Sequence, residues 1–450
     1  MNMKTSPIFF LLLALLSMPA ISEETEEPRP ESELEEWRST LLYGINQELT
    51  DLLPQLTTQS VAQLKDDVLH VFSTSPDTSV QKECLTYFTK IESDIAKTHS
   101  IELLSDYDVL DPVLTRAIFD YLQTLELDLS RQERALFQEI VSQNRIVEIV
   151  PPAIRLLAAT GESPDFFIDL YREEDLGEPV RAEILLALGE LGDPSAYDFV
   201  QELLDPDQDA TTMIERYAID TLGRLGDRRA IPVIIRQLDA SDAMTRAYAV
   251  SALKNFSGPE IDEAIVAALR DDFWRVRIAA LQTVAERSIT TAVPAVIYKM
   301  RRDPEEKVRL EAAATLAVLN ASEGWEAIRE RAATTRTPEI ERGALLEHMA
   351  KHDVAACTEI MLSIADAEWE RESSRLLDSV GRIISTNPDP GFEPLYIRFL
   401  LHRNFILQIY AIRGIGGAGI QSLKSDVQLR TEEPYHRAVR SAALRAIEQL

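Results

Sequence analysis

The sequence is short of positive charge. It carries 46 Lys and Arg against 75 Asp and Glu, a formal net charge of −29. A polyanion of this kind repels the nucleic-acid backbone and anionic lipid, so no nucleic-acid partner is expected. Glycine (16 residues) and aromatic residues (7%) are scarce, while Ala, Leu, Ile, Glu and Arg are frequent, which favours helix. Six histidines, none followed by Glu, give little material for a metal centre, and no Gly-x-Ser-x-Gly or comparable nucleophile motif occurs. No catalytic residue, metal site or cofactor is therefore expected. Beyond the first twenty residues no apolar run reaches the length of a bilayer span, so no integral membrane segment is expected after the leader.

That leader is present. Lys4 precedes an unbroken apolar run from Ile8 to Leu16, and Ser17-Met-Pro-Ala-Ile-Ser22 puts the small residues Ala20 and Ser22 at the −3 and −1 sites. The pattern predicts a signal peptide over 1–22, cut after Ser22, and hence a periplasmic or secreted protein. Residues 23–36 hold eight glutamates, one Arg and two prolines. They predict a disordered acidic spacer. Residues 37–76 predict a divergent N-terminal helical cap, with Pro54 breaking its helical pattern.

From residue 77 to 450 one pattern recurs. Taking Arg181 as position zero, the same frame fits at 81, 115, 150, 181, 215, 246, 277, 309, 342, 373, 408 and 440, spaced 31 to 35 residues apart. Position three is Cys84, Ile118, Ala153, Ile184, Ala218, Ala249, Ala280, Ala312, Leu345, Leu376, Ala411 and Ala443. Position seven is Phe88, Leu122, Leu157, Leu188, Leu222, Leu253, Val284, Leu316, Met349, Val380, Ile415 and Ile447. All are apolar in a chain that is 45% hydrophobic. Self-similarity at this period predicts a solenoid, whose long surface favours binding over catalysis. About eight repeats separate Cys84 from Cys357, so an intramolecular disulfide is excluded and both are expected to fill core space.

Each unit reads as two antiparallel helices. The first is clearest in Ala230-Ile-Pro-Val-Ile-Ile-Arg-Gln-Leu238, with Pro232 in its opening turn. An acidic turn such as Asp239-Ala-Ser-Asp242 follows and caps the second helix. Two second helices end in Leu-Gly-x-Leu-Gly-Asp, at Leu188–Asp193 and Leu222–Asp227, where the last Gly is expected at positive φ. With Val-Arg at 180–181, 276–277, 308–309 and 439–440, these residues resemble the HEAT-repeat family in its short form, the PBS-lyase HEAT-like repeat. The likeness is strongest over 178–320. It implies an all-α superhelix of antiparallel helix pairs, with second helices on the concave side, and does not imply one function.

Position zero is Arg at 181, 246, 277, 309, 342 and 440. The resemblance implies a structural ladder, each Arg pairing with an acid among Asp205, Asp207, Asp239, Asp242, Asp271, Asp272 and Asp303 in neighbouring turns. Gly414-Ile-Gly-Gly-Ala-Gly419 matches a dinucleotide fingerprint but falls where a second helix ends, so it reads as a helix terminus. His348 and His352 share a helical spacing that can bind metal, though His348 falls at a usually small, part-buried position.

Positions two, five and nine of the second helices are left for the groove. They include Glu183, Tyr217, Asp220, Arg224, Tyr248, Tyr410 and Arg413. Tyr217 and Tyr248 hold the same position in successive repeats, so their rings should be neighbours. The row is open to two readings, anchors for a protein partner or ordinary packing between helices. The C-terminal helix carries more apolar residues than one face hides (Ala442, Ala443, Leu444, Ile447, Leu450). It is expected to dock against a second copy or a partner. The function expected is an exported scaffold for protein–protein interaction through the concave face. The alternatives are a metal- or cofactor-dependent enzyme built on the repeats, lyase- or hydroxylase-like, or a structural component of an envelope assembly.

Overall fold

A computed structural model describes residues 31–143, 149–173, 176–205, 210–371 and 373–450. The predicted leader, most of the predicted spacer and Asp207 lie outside the described residues. Among the described residues all regular structure is helical. The chain divides into two compact units, Met1–Leu156 and Leu157–Leu450.

The first unit holds α1 (Glu31–Tyr43), α2 (Asn46–Thr58), α3 (Lys65–Thr74), α4 (Thr78–Lys90), α5 (Lys97–Leu104), α6 (Pro112–Leu122) and α7 (Arg131–Gln143). Helix α8 (Val150–Ala159) runs through the division. Two expectations are corrected here. Helix α1 starts at Glu31, inside the stretch read as disordered spacer. Leu34, Trp37 and Leu41 fall on one helical face, the first two half-buried and the last buried, and that stripe outweighs the glutamates around it. Pro54 lies within α2 and does not break it. The proline is exposed, while Leu49, Leu52, Leu53 and Leu56 are buried on the opposite side and hold the helix down.

The second unit is a run of helix pairs. It opens with α9 (Pro164–Tyr171) and α10 (Glu178–Leu191), then α11 (Tyr197–Glu202) and α12 (Thr212–Leu225). Next come α13 (Ala230–Gln237) with α14 (Ala243–Ala252), and α15 (Pro259–Ala268) with α16 (Trp274–Glu286). Helices α17 (Val293–Arg302) and α18 (Glu306–Leu319) precede α19 (Ser322–Ala333) and α20 (Glu339–His352). The last pairs are α21 (Val354–Glu368) with α22 (Arg375–Thr386), α23 (Glu393–Leu400) with α24 (Phe405–Ala418), and α25 (Lys424–Gln428) with α26 (Arg437–Ile447). The even-numbered helices from α10 to α26 pack one on the next, so the second helices form a continuous row.

The frame holds in three dimensions. Every residue at positions three and seven is buried except Ile447, which is half-buried in the last helix. Both cysteines are free and buried. Gly192 and Gly226 end α10 and α12 at φ 62° and 68°, closing the helices as their sequence predicts.

The arginines form interrepeat clamps. Arg277 donates from Nη1 to the carbonyls of Asp271 and Asp272, in the turn leading into its own helix. Its Nε and Nη2 donate to Asp303 of the next turn at 2.8 and 2.7 Å. Arg246 does the same with the Ala240 and Ser241 carbonyls and with Asp271. Arg309 holds the Asp303 and Pro304 carbonyls and reaches Glu341 at 2.7 Å. Each aspartate also caps the backbone ahead of it. Asp271 accepts from the Phe273 N–H and Asp303 from the Glu305 N–H. The ladder thus differs in detail from its prediction. Asp242 pairs with Arg216, at position one, at 2.8 Å. Glu341 serves as an acid that the sequence reading did not include. Arg181 bonds the Glu173 carbonyl and lies over the Tyr171 ring.

Two further contacts seal the row. The hydroxyls of Thr221 and Thr315, both at position six, donate to the carbonyls of Leu185 and Leu281 in the preceding second helix. Gly189, Gly223, Gly381 and Gly416 all occupy position eight, where the next helix crosses. At Gly223 a Cβ would lie 2.9 Å from the Ala252 Cα and 3.0 Å from its carbonyl oxygen. At Gly189 the nearest atom is Arg224 Cδ, part of a movable side chain.

These contacts make two predictions. Arg277 and Asp303 side chains are 6% and 0% exposed, so Arg277→Ala leaves a buried carboxylate with Lys299, 3.3 Å away, as its remaining cation, and costs up to about 3 kcal/mol, below the full cost of an unpaired buried charge, read as a fall in the urea midpoint. Burial pushes the Asp303 carboxyl up, but Arg277, the Glu305 N–H and Lys299 together hold it below its usual value. A depressed folded pKa contributes stability above the unfolded value of about 3.9 and loses it as pH falls further. The Arg277→Ala penalty, measured by urea unfolding, should therefore shrink as pH is lowered below about 4. The glycines behave unequally: Gly223→Ala costs about 1–3 kcal/mol, whereas Gly189→Ala is neutral or gains up to about 1 kcal/mol in helix propensity.

Candidate functional site

From α10 to α24, positions three, four and seven are buried throughout, and positions two, five and nine are half-buried or exposed apart from Ala279 at position two of α16. On α12 and α14 this brings Tyr217 and Tyr248 together as the sequence predicts, with ring centroids 6.4 Å apart and planes at 66°. The edge-to-face arrangement matches the quadrupoles of the two rings. Beside them Asp220 pairs with Arg224 at 2.8 Å, one turn along α12. Burial raises the Tyr248 hydroxyl above its usual value, Tyr217 and Asp220 add to the rise, and Arg216 opposes it. Both residues are half-buried.

Glu183 is half-buried at position two of α10. Tyr410 and Arg413 form a second cluster on α24, separated from the tyrosine pair by four second helices. Burial raises the Tyr410 hydroxyl, and Asp378, to which it is hydrogen-bonded, raises it further against the pull of Arg382 and Arg413. The ring lies over Gly381, whose missing Cβ makes room for it. Arg413 is exposed, and Arg382 faces Glu347 at 3.8 Å. The seven candidates therefore fall into two groups along one row. The sequence reading missed Glu311, which sits at position two of α18 between them. Its carboxyl is raised by burial, against a hydrogen bond with Gln282.

The other candidates separate. The Gly414–Gly419 run is the end of α24, with Gly419 at φ 64°. His348 is half-buried and burial lowers its pKa, while the His352 ring stacks on Trp325 at 3.7 Å. Among the described residues no three His, Cys, Asp or Glu side chains are placed to share a metal ion. On α26, Ala442, Ala443 and Ala446 are buried and Leu444 is 56% exposed.

The repeat, the clamps and the row of second helices are those of a HEAT array. Residues 41–446 match the model of the spirochaete HEAT repeat protein family. The chain belongs to that family. No curated protein sequence matches it. The solved structure of yeast importin-beta, Kap95p, is similar in fold at 12% identity, over 94% of this chain and 63% of that one, with a TM-score of 0.55. The chain thus spans less than two-thirds of that structure's length. The complex of CpcE and CpcF of phycocyanin lyase from Nostoc matches 54% of this chain and 97% of that one at 17% identity and a TM-score of 0.33. Human deoxyhypusine hydroxylase with glycerol matches 57% and 98% at 17% identity and 0.26. At these identities the likeness concerns the fold alone. None of the helices described in this HEAT repeat protein is long and apolar enough to cross a membrane.

The tyrosine pair can be tested by itself. A double-mutant cycle of Tyr217→Ala and Tyr248→Ala should give a coupling of about 0.5–1.5 kcal/mol in urea unfolding, against none for Tyr217→Ala with the remote Tyr410→Ala.

Proposed function

We propose that this HEAT repeat protein is exported and acts as a protein-binding scaffold, using the outward row of its second helices, the concave side in this family's geometry. The observation that carries the reading is the Tyr217–Tyr248 pair. Two rings at the same position in successive repeats are half-buried, edge to face, and flanked by Asp220 and Arg216. Such rings offer large contact area at little cost in side-chain entropy. The surrounding groups are carboxylates and guanidiniums already paired to one another. This suits hydrogen bonding to a polypeptide more than turnover of a substrate, and we infer a role in binding rather than catalysis. The leader supports a periplasmic or secreted location, and the acidic surface suits a soluble exported protein. The exposed Leu444 on α26 supports a second contact at the C-terminal end, with another copy or a partner.

The test is a pull-down from the native envelope fraction with the mature protein and with the Tyr217→Ala, Tyr248→Ala variant. The wild type should retain a defined partner, and the double variant should lose at least about tenfold in affinity with an unchanged helical circular dichroism spectrum. A folded variant with full affinity excludes the tyrosine pair as the site. A mature N-terminus other than Glu23 contradicts the leader reading.

A further inference from the structure

One junction between repeats is tied without charge. Asp271 and Asp303 stand six residues before the origins Arg277 and Arg309, and each accepts through Oδ1 the N–H two residues on. The same place before Gln408 holds His402, whose Nδ1 accepts the Asn404 N–H at 2.9 Å. Gln408 stands where those arginines stand. Its Nε2 donates to the His402 carbonyl at 2.7 Å, as Arg277 and Arg309 donate to the carbonyls of Asp271 and Asp303. The origin one repeat earlier is Ser373, which has no guanidinium to offer. The link to that repeat is made by His402 itself, whose Nε2 lies 3.2 Å from the Trp369 carbonyl at the end of α21. A histidine and a glutamine thus take the places of the aspartate and the arginine.

The two bonds fix the protonation state of the ring. A backbone N–H only donates and a carbonyl only accepts, so Nδ1 is bare and Nε2 carries the hydrogen. An imidazolium carries hydrogen on both nitrogens and would set Nδ1–H against the Asn404 N–H. His402 is 3% exposed, and the Trp369 ring stands edge-on to it at 4.5 Å, so water is kept from repairing the lost bond. Burial lowers the His402 pKa, the bond to Trp369 raises it, Arg403 lowers it and Glu370 raises it. The charges around the ring are already engaged. Arg403 donates to the Glu370 carbonyl and Arg430 to the Leu400 carbonyl. Arg398 lies over the Trp369 ring and pairs with Asp366, and Glu368 pairs with Arg371. Carboxylates and guanidiniums ordinarily keep their charge between pH 5 and 7.5, whereas imidazole does not.

We propose that the junction between the α21–α22 pair and the α23–α24 pair is a pH-sensitive hinge, held shut by neutral His402 and released when its imidazole takes up a proton. The hydrogen bond between Tyr410 and Asp378 crosses the same junction, from α24 to α22, so the Tyr410–Arg413 cluster loosens with it. The junctions tied by Arg246, Arg277 and Arg309 have only guanidiniums and carboxylates in their clamps and stay shut over the same range. The direction follows from the lowered pKa of the closed form. The opened junction binds the proton first, so closure is at full strength above the ordinary histidine value of about 6.5 and weakens as pH falls below it. The hinge is independent of any role for the tyrosine pair.

The experiment is hydrogen exchange of the full mature protein between pH 7.5 and 5.0, with rates corrected for the intrinsic pH dependence of exchange. Protection of α23 and α24 should fall at least about threefold, and by no more than about tenfold per pH unit, the limit for a single proton. Protection of α17 and α18 should stay level. His402→Asn keeps an acceptor at the reach of the aspartates but cannot titrate or extend to Trp369, so α24 should be less protected at pH 7.5 and independent of pH. His402→Gln keeps the reach to Trp369 and loses the cap, and should behave at pH 7.5 as the acidified wild type does. Two neighbours serve as controls: His436→Asn, whose ring stacks on Phe405, and Glu372→Gln, which lies outside the described residues. Both should retain the pH response. Nitrogen-15 spectra of the histidine-labelled wild type should show His402 as the Nε2–H tautomer at pH 7.5. Unchanged protection of α23 and α24 on acidification, an equal loss in α17 and α18, or a response that survives in folded His402→Asn overturns the proposal. So does a response abolished by either control, or an Nδ1–H tautomer.

Discussion

A guanidinium shared between two consecutive turns fixes how one repeat sits on the next. Burial of positions three and seven drives the helices together, but that force has no direction and would tolerate a slide along the helix axis. The clamp of Arg277 does not. Its planar fork must meet two carbonyls behind it and the Asp303 carboxylate ahead of it at once. Removing such a charge from water is costly, and a buried pair of this kind is a weak source of net stability. Its contribution is register: the same three points of attachment recur at Arg246 and Arg309, so the second helices form an even row.

That division of labour leaves the outer positions open to variation between repeats. Position three and seven side chains close the core, position six hydroxyls and position eight glycines close the seam, and position zero sets the register. What remains at two, five and nine is not set by the repeat: some of these side chains still pack between repeats, as Tyr217 does on Tyr248 and Tyr410 does over Gly381, but their residue types change from one repeat to the next.

The parts legible in the sequence are those a single repeat specifies by itself. The apolar positions follow from the period, the glycine helix ends from their motif, and the Tyr217–Tyr248 contact from a shared position in adjacent repeats. The parts that were not legible depend on the rise from one repeat to the next. Asp242 is reached by Arg216 rather than by a position-zero arginine, and Glu341 replaces a turn aspartate because the turn before α20, Thr334 to Pro338, holds no acid. The threonine seam at 221 and 315 needs the neighbour's carbonyl to be seen at all. Counting glutamates hid the stripe that starts α1 at Glu31, and treating Pro54 as a breaker ignored four leucines on the opposite side of α2.

The burial of the two thiols has a consequence of its own. Cys84 and Cys357 sit in the repeat core without exposure, and burial pushes both thiols up, that of Cys357 to about 12. Only the thiolate attacks a disulfide or reacts readily with an oxidant. Kept protonated and out of reach, these side chains remain chemically silent while the fold is intact, and acquire ordinary reactivity once a repeat opens. Alkylation at neutral pH would accordingly report the opening of individual repeats, with Cys84 registering the first unit and Cys357 the second.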